Sequence, residues 1–247
     1  MKKIIRKFFN TFGIQISKFT PGKRLIFENI HKIKIRKKPI IFDVGANVGE
    51  ISLRYLEEFP RAIIHAFEPN NEAFQVFKEK IKSKNIILNN IGLGEKSGTK
   101  KLHYTLKSGN SSIRALNLKS KWIKNKAEIY KTVPTKYIKK TSSIKVKTID
   151  EYVKKNKIKT IDLVKIDTQG YETNILKGSK NSLKKIIKNI ELEIMLDDCY
   201  EVNMSFYEIE KILDPMGFKL IGLYSNKRDV YENVNFGAFA FYSKKLV

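Results

Sequence analysis

Ile40-Ile41-Phe42-Asp43-Val44-Gly45-Ala46-Asn47-Val48-Gly49-Glu50 is the stretch that most restricts how this chain can fold. An apolar run ends in an acid, a glycine-bracketed turn follows, and an amphipathic segment runs from Ile51 to Phe59. That order predicts a buried strand, a tight loop and a helix start. Gly45 admits backbone angles closed to other residues and lets a ligand approach the main chain. The helix behind the loop offers free N–H groups and the positive end of its dipole, which suits the anionic part of a small ligand. A second apolar run, Ile63-Ile64-His65-Ala66-Phe67, ends in Glu68-Pro69. Glu68 follows Asp43 by about 25 residues, close to the spacing of a carboxylate that grips ribose hydroxyls at the end of a second parallel strand.

A dinucleotide fingerprint needs G-x-G-x-x-G so that the backbone can reach a pyrophosphate. Here Asn47 stands at the second-glycine position, and no Gly-Lys-Ser/Thr follows to make a phosphate-binding loop of the Walker type. A D-x-G-x-x-x-G loop with a ribose acid and no phosphate-binding feature points to S-adenosylmethionine, which carries a ribose, an adenine and an amino-acid end but no phosphate. The competing reading is a strand–turn–helix that serves only the fold.

Further along, spacing predicts a helix over Glu72 to Lys84, with Ala73, Phe74, Phe77 and Ile81 inward, and a third strand over Ile86 to Asn90. A loop then leads to an added strand over Lys101 to Leu106. From Lys107 to Lys147 the regular rhythm stops, and the span holds twelve Lys or Arg against one acid, Glu128. We read it as an insertion over the open edge of the site, since long loops in compact domains are usually functional or disordered. Its Trp122 and Tyr130 would offer flat apolar surfaces among the lysines, and Lys119, Lys121, Lys124 and Lys126 would attract an acidic acceptor. Strands are expected again at Ile144 to Thr148, Ile161 to Asp167 and Ile190 to Leu196. The predicted helices here are Ile149 to Lys155, a long one ending near Lys188, and Ser205 to Met216, stopped by Gly217. A hairpin of Phe218 to Tyr224 and Gly237 to Tyr242 closes the chain. Such alternation makes an open, mostly parallel sheet with helices on both faces. Ligands in such folds lie beyond the C-terminal strand ends, where Asp43, Glu68, Asn90 and Asp167 fall.

A central parallel strand is normally almost wholly apolar. Two here are not. Leu163, Lys165 and Asp167 share one face by alternation, and so do Glu191 and Glu193 in the following strand. If those strands are neighbours, one lysine and three carboxylates meet, and burying them is unfavourable unless they pair. Asp167 ends its strand and faces the ligand crevice, where it would take or direct the proton of an acceptor hydroxyl. Glu172 is a second candidate, although an acid in a first helical turn also simply favours the dipole. Thr168 and Gln169 read as turn residues with backbone roles. An internal ion pair that fixes strand register is the alternative for the whole cluster.

The charge of the chain, Lys+Arg 49 against Asp+Glu 25, implies anionic partners: nucleic acid, acidic lipid or an acidic acceptor. The single cysteine, Cys199, excludes an internal disulfide framework and fits a reducing compartment. No Cys/His spacing suggests zinc, and no metal is expected. No apolar run reaches the length of a membrane span. The first residues lack the apolar core of a secretory signal. They predict a basic amphipathic helix with Ile4, Ile5, Phe8, Phe9 and Phe12 on one face. It either packs on the domain or lies on an anionic membrane surface. The expected layout is a basic N-terminal helical extension over 1–38, with a Pro21-Gly22 break, and one domain over 39–247. The expected location is the cytoplasm, with peripheral contact at the inner membrane surface as the second reading of that helix.

Phe42-Asp-Val-Gly-Ala-Asn-Val-Gly49, Phe67-Glu-Pro69 and Lys165-Ile-Asp-Thr-Gln-Gly-Tyr-Glu172 with Leu176-Lys-Gly178 resemble the FkbM-type methyltransferases, from about residue 40 to about 243. The resemblance implies a class I, Rossmann-like, S-adenosylmethionine-dependent fold with a seven-stranded sheet whose last strand is antiparallel. It places Asp43, Gly45 and Asn47 near the methionine end, Glu68 on the ribose, and Asp167 and Glu172 beside the transferred methyl, with Lys165 in the same cluster. Ala46, Gly49, Pro69, Asn90 and Ser112, the last in a serine pair that resembles one preceding the family's fourth strand, complete the expected cofactor set. Many members have Glu where this chain has Gln169, so no second acid is assigned there. The implied activity is O-methylation of a saccharide hydroxyl in cell-surface glycan biosynthesis. RNA or natural-product methylation is the alternative. The fourth strand lacks the Asn/Asp-Pro-Pro-aromatic loop of base amino-group methylases.

Overall fold

A computed structural model describes residues 35–195, 198–202, 205–228 and 235–244. The expected N-terminal helix lies outside the described residues. The order is β1 (Ile40–Val44), α1 (Glu50–Glu58), β2 (Ile63–Phe67), α2 (Asn71–Lys80), β3 (Ile86–Asn89), β4 (Gly92–Leu93), β5 (Gly98–Thr105), α3 (Lys121–Ile129), α4 (Pro134–Tyr137) and β6 (Ile138–Lys147). It continues with α5 (Ile149–Lys155), β7 (Leu163–Ile166), α6 (Glu172–Lys177), α7 (Lys180–Lys185), β8 (Asn189–Met195), α8 (Phe206–Leu213), β9 (Lys219–Arg228) and β10 (Asn235–Ser243).

Seven strands form one sheet in the order β3-β2-β1-β7-β8-β10-β9. β10 runs antiparallel to both its neighbours, and β3, β2, β1, β7 and β8 pair in parallel. This is the class I methyltransferase arrangement. Strand order reverses between β1 and β7, so the crevice for a ligand opens at their C-terminal ends.

Alternation along the strands builds two cores. Phe42, Val44, Val164, Ile166, Ile190, Leu192 and Ile194 face one side, under Tyr152 of α5, Ile175 of α6 and Ile209 and Leu213 of α8. Ile41, Ile64, Leu163 and Phe241 face the other, under Tyr55 of α1 and Phe77 of α2. Lys165, Glu191 and Glu193 fall on this second face by the same alternation, so the charged cluster lies beneath α1.

The structure corrects several boundaries. α2 stops at Lys80, short of Lys84. The long helix expected to run to about Lys188 is two short ones, broken at Gly178-Ser179. A Cβ on Gly178 would stand 2.0 Å from the carbonyl oxygen of Gly94, so close backbone packing sets the break. The 107–147 span is largely ordered. It holds α3, begun by Ser120 whose hydroxyl accepts the Ile123 N–H, then α4 and the ten-residue β6. β6 forms a three-stranded sheet with β4 and β5.

His65 is buried, its Nδ1 sits 2.9 Å from the Tyr152 hydroxyl, and burial pushes its pKa down to about 4. The unfolded chain takes up this proton near pH 6.5 and the folded chain only near 4. The contribution is therefore present above the unfolded value and lost as pH falls between the two. Relative to His65→Leu, the wild type should lose roughly 3 kcal/mol from pH 7 to pH 4. Urea unfolding across that range checks it, and parallel pH curves for the two proteins would refute it.

Candidate active site

The crevice at the ends of β1, β2 and β7 contains about 550 Å³ of free space, part of it open to solvent. Gly45 and Asn47 line it from the turn after β1, Glu68 and Pro69 from the end of β2, and Asp167 from the end of β7. Ile91, Leu93, Leu102 and Ile113 form an apolar wall, and Ser112 closes one side.

The turn holds its shape through glycine and through Glu68. Gly45 has φ +79, and a Cβ there would lie 2.0 Å from the Asp167 carbonyl oxygen. Glycine is needed for this backbone contact between β1 and β7, in addition to the expected approach of a ligand. Glu68 is buried, its Oε2 accepting the Asn47 N–H at 2.6 Å and its Oε1 the Asn70 N–H at 2.7 Å. Burial pushes its pKa up to about 7, against the lowering effect of those two amides and of Lys165. A carboxylate has about four acceptor positions, so each oxygen keeps capacity for a hydroxyl.

Four of the expected cofactor residues do not line the crevice. Asp43 is buried, accepting the Ser52 hydroxyl at 2.7 Å and pairing with Lys165 at 3.0 Å. Ala46 packs into the core under α1. Gly49 caps α1, and a Cβ on it would meet the Phe77 ring at 2.0 Å. Asn90 donates its side-chain amide to the Glu68 carbonyl at 2.9 Å. These residues shape the turn and the β2 end.

The sequence juxtaposition of charges is present. β7 and β8 are neighbours with Lys165 opposite Glu191. Lys165 Nζ lies 3.0 Å from Asp43 Oδ1 and 3.8 Å from Asp167 Oδ2, and donates to the Gly45 carbonyl at 3.1 Å. Glu191 accepts the Tyr55 hydroxyl at 2.7 Å. Of Asp43, Lys165, Asp167, Glu191 and Glu193, only Asp167 reaches the crevice, with 16% of its side chain exposed.

Glu172 does not face the crevice. It is wholly buried, and its Oε1 accepts the N–H groups of Thr168 at 2.8 Å and Gly170 at 3.3 Å and the Thr168 hydroxyl at 3.2 Å. It ties the loop after β7 to the start of α6, and burial pushes its pKa up to about 7. Gln169, read from sequence as a backbone residue, instead uses its side chain. Its Nε2 donates to Asp167 Oδ1 at 3.0 Å and to Glu193 Oε2 at 2.6 Å. No local pattern announces the second of these, because Glu193 comes from β8. Ser112 donates to the Gln169 carbonyl at 2.7 Å, and Ser108 donates to Asn47 Oδ1 at 2.8 Å, bringing the 108–112 segment over the crevice.

Trp122 does not offer a stacking surface. It is buried with Leu116, Ile123, Tyr137, Met195, Cys199 and Tyr200, while Tyr130 stays exposed. α3 thus packs its apolar side beyond the end of β8 and leaves Lys121 and Lys124 exposed.

Residues 43–220 match the family model described as the Methyltransferase FkbM domain. The chain belongs to the FkbM methyltransferase family. This FkbM-family chain is an S-adenosylmethionine-dependent methyltransferase. Methyltransferase sdnD of Sordaria araneosa is 28% identical to it over 210 residues, 74% of each chain. The 2-O-methyltransferase NoeI of Sinorhizobium fredii is 25% identical over 148 residues, 60% of each chain. The crystal structure of Methyltransferase FkbM from Methylobacillus flagellatus aligns with 14% identity and a TM-score of 0.50. That alignment covers 84% of this chain and 44% of the other, and it shows a shared fold. Among the described residues, no helix is long and apolar enough to cross a membrane.

Proposed function

We propose that this FkbM-family protein transfers a methyl group to a hydroxyl of a saccharide, one that carries acidic groups or a lipid-linked diphosphate, in cell-surface glycan biosynthesis. The observation that carries the oxygen acceptor is Asp167, a carboxylate at the crevice held by Lys165 and Gln169. A hydroxyl nucleophile must shed its proton as it attacks, and a fixed carboxylate at that point serves this need. The relative named as a 2-O-methyltransferase supports the same class. The excess of lysine, including exposed Lys119, Lys121 and Lys124, supports an acidic acceptor. The same excess supports work at an anionic membrane surface, and the single cysteine supports the cytoplasm.

The crevice chemistry fits S-adenosylmethionine, which supplies an electrophilic methyl on a positively charged sulfur. Glu68 would hold the ribose hydroxyls, the apolar wall of Ile91, Leu93 and Leu102 would take the adenine, and Gly45 and Asn47 would take the methionine end. Holding the acceptor oxygen in line with the methyl and the sulfur supplies much of the acceleration.

Glu68→Ala should weaken S-adenosylmethionine binding about 10- to 100-fold, from the loss of charge-assisted hydrogen bonds worth ~1.5–3 kcal/mol. Calorimetry reads it, and unchanged affinity would end the ribose assignment. The acceptor class is tested by methyl release from labelled S-adenosylmethionine onto lipid-linked glycan, total RNA and a lipophilic polyol. Label appearing on glycan oxygen is the expected result, and label on RNA or on the polyol alone overturns the proposal.

A further inference from the structure

Gln169 is buried and sits at φ +58, in the left-handed region. Side chains of L residues are disfavoured there, whereas glycine enters freely, as Gly170 does at φ +91. The Gln169 side chain gives a reason for the strain. Carboxylates only accept hydrogen bonds, so its two amide hydrogens match Asp167 Oδ1 and Glu193 Oε2. Its carbonyl then faces the Tyr200 hydroxyl, which donates at 3.3 Å. Tyr200 is buried, and its ring packs so closely on Gly170 that a Cβ there would lie 2.7 Å from it. Every group on this path is fixed from a different element: β7, β8, the loop before α6 and the segment after β8.

We propose that Gln169 is the positioning residue of Asp167: its amide donates to the carboxylates of Asp167 and Glu193 together and aims Asp167 into the crevice. The proposal rests on Asp167 being the group that handles the acceptor proton. Among the described residues, the groups facing Asp167 include Lys165 from its own strand, Asp43 from β1 through that lysine, Glu193 from β8, Glu172 from α6 and the Tyr200 hydroxyl. Lys165 favours the charged form, and the carboxylates oppose it. Two carboxylates that share a site oppose each other's charge, and a donor that both accept favours their charged forms. A neutral amide supplies two donors and adds no charge. An acid at this position would add a third negative group and call for a shared proton or a bound cation.

The test uses the full chain labelled with ¹³C at aspartate carboxyls, with the Asp167 signal assigned by Asp167→Asn. In Gln169→Glu and Gln169→Leu the Asp167 titration should move up by about one unit or more, a tenfold rise in proton affinity. Calorimetric affinity for S-adenosylmethionine should stay within about threefold, which shows that the crevice has formed. Tyr200→Phe, which leaves the amide in place and frees its carbonyl, should shift the titration in the same direction by less. An unmoved Asp167 titration in the folded variants overturns the proposal. Failure of the catalytic reading is distinct: Asp167→Asn with undiminished methyl transfer would defeat that reading and leave the titration result standing.

Discussion

Asp167→Asn should lower methyl transfer ~10²–10⁴-fold, the usual loss when a positioned general base is removed, while S-adenosylmethionine affinity stays within a few-fold of wild type. Asparagine keeps the shape of the side chain and one acceptor for the Gln169 amide, so the 168–170 loop has no reason to move. What disappears is the charge, at the one carboxylate of the Lys165 cluster that reaches the crevice. The expected pattern is a fall in kcat with little change in cofactor binding. Glu68→Ala should show the reverse emphasis, because Glu68 lies at the β2 end with both oxygens already fixed by backbone amides. Single-turnover methyl transfer and calorimetry on both variants separate the roles. Near-normal turnover in Asp167→Asn would mean that alignment alone drives the reaction and that Asp167 serves the fold.

Residues whose partners lie nearby in the chain were legible in the sequence, and residues whose partners are brought by tertiary packing were not. Ile40–Val44 and Ile63–Phe67 are apolar runs that end in a turn signal, and both appear with the expected bounds. Alternation placed Lys165 opposite Glu191 on the neighbouring strand, but the carboxylate 3.0 Å from Lys165 is Asp43 of β1, which the expected cluster did not include. β6 was legible only at its end. Five consecutive exposed residues, Lys139 to Ser143, precede the buried Ile144 and Val146, so alternation begins too late to mark the strand. α3 carried a usable signal in Ser120 followed by Trp122, Ile123 and Ala127, which the density of lysine obscured. Gln169 carried none. Its side chain meets Glu193 and Tyr200, 24 and 31 residues away, and a sequence pattern does not encode that meeting.

Lys165→Met should cost ~3–5 kcal/mol of stability, the usual penalty for breaking one side of a buried ion pair. Lys165 is 2% exposed and Asp43 is not exposed at all, so water does not replace the lost partner. Asp43 keeps its bond from Ser52, but Oδ1 loses the cation 3.0 Å away, and the Gly45 carbonyl loses its donor. A loss of that size is a large part of the ~5–15 kcal/mol that holds a typical domain together. The pair itself need not be stabilising. Removing both charges in Asp43→Asn with Lys165→Met should recover part of the loss, because Asp43 is then no longer an unpaired buried charge, while Glu191 and Glu193 keep their Tyr55 and Gln169 donors. Urea unfolding of the two single variants and the double variant closes the cycle, and the coupling term isolates the pair. The double variant should still fold with a loosened turn, because Gly45 would have lost the lysine that draws it towards Asp167. Cofactor affinity should therefore stay low even where stability returns. A Lys165→Met protein less than about 1 kcal/mol weaker than wild type, the range of exposed pairs, would show that the cluster is solvated and that its charges do not shape the site.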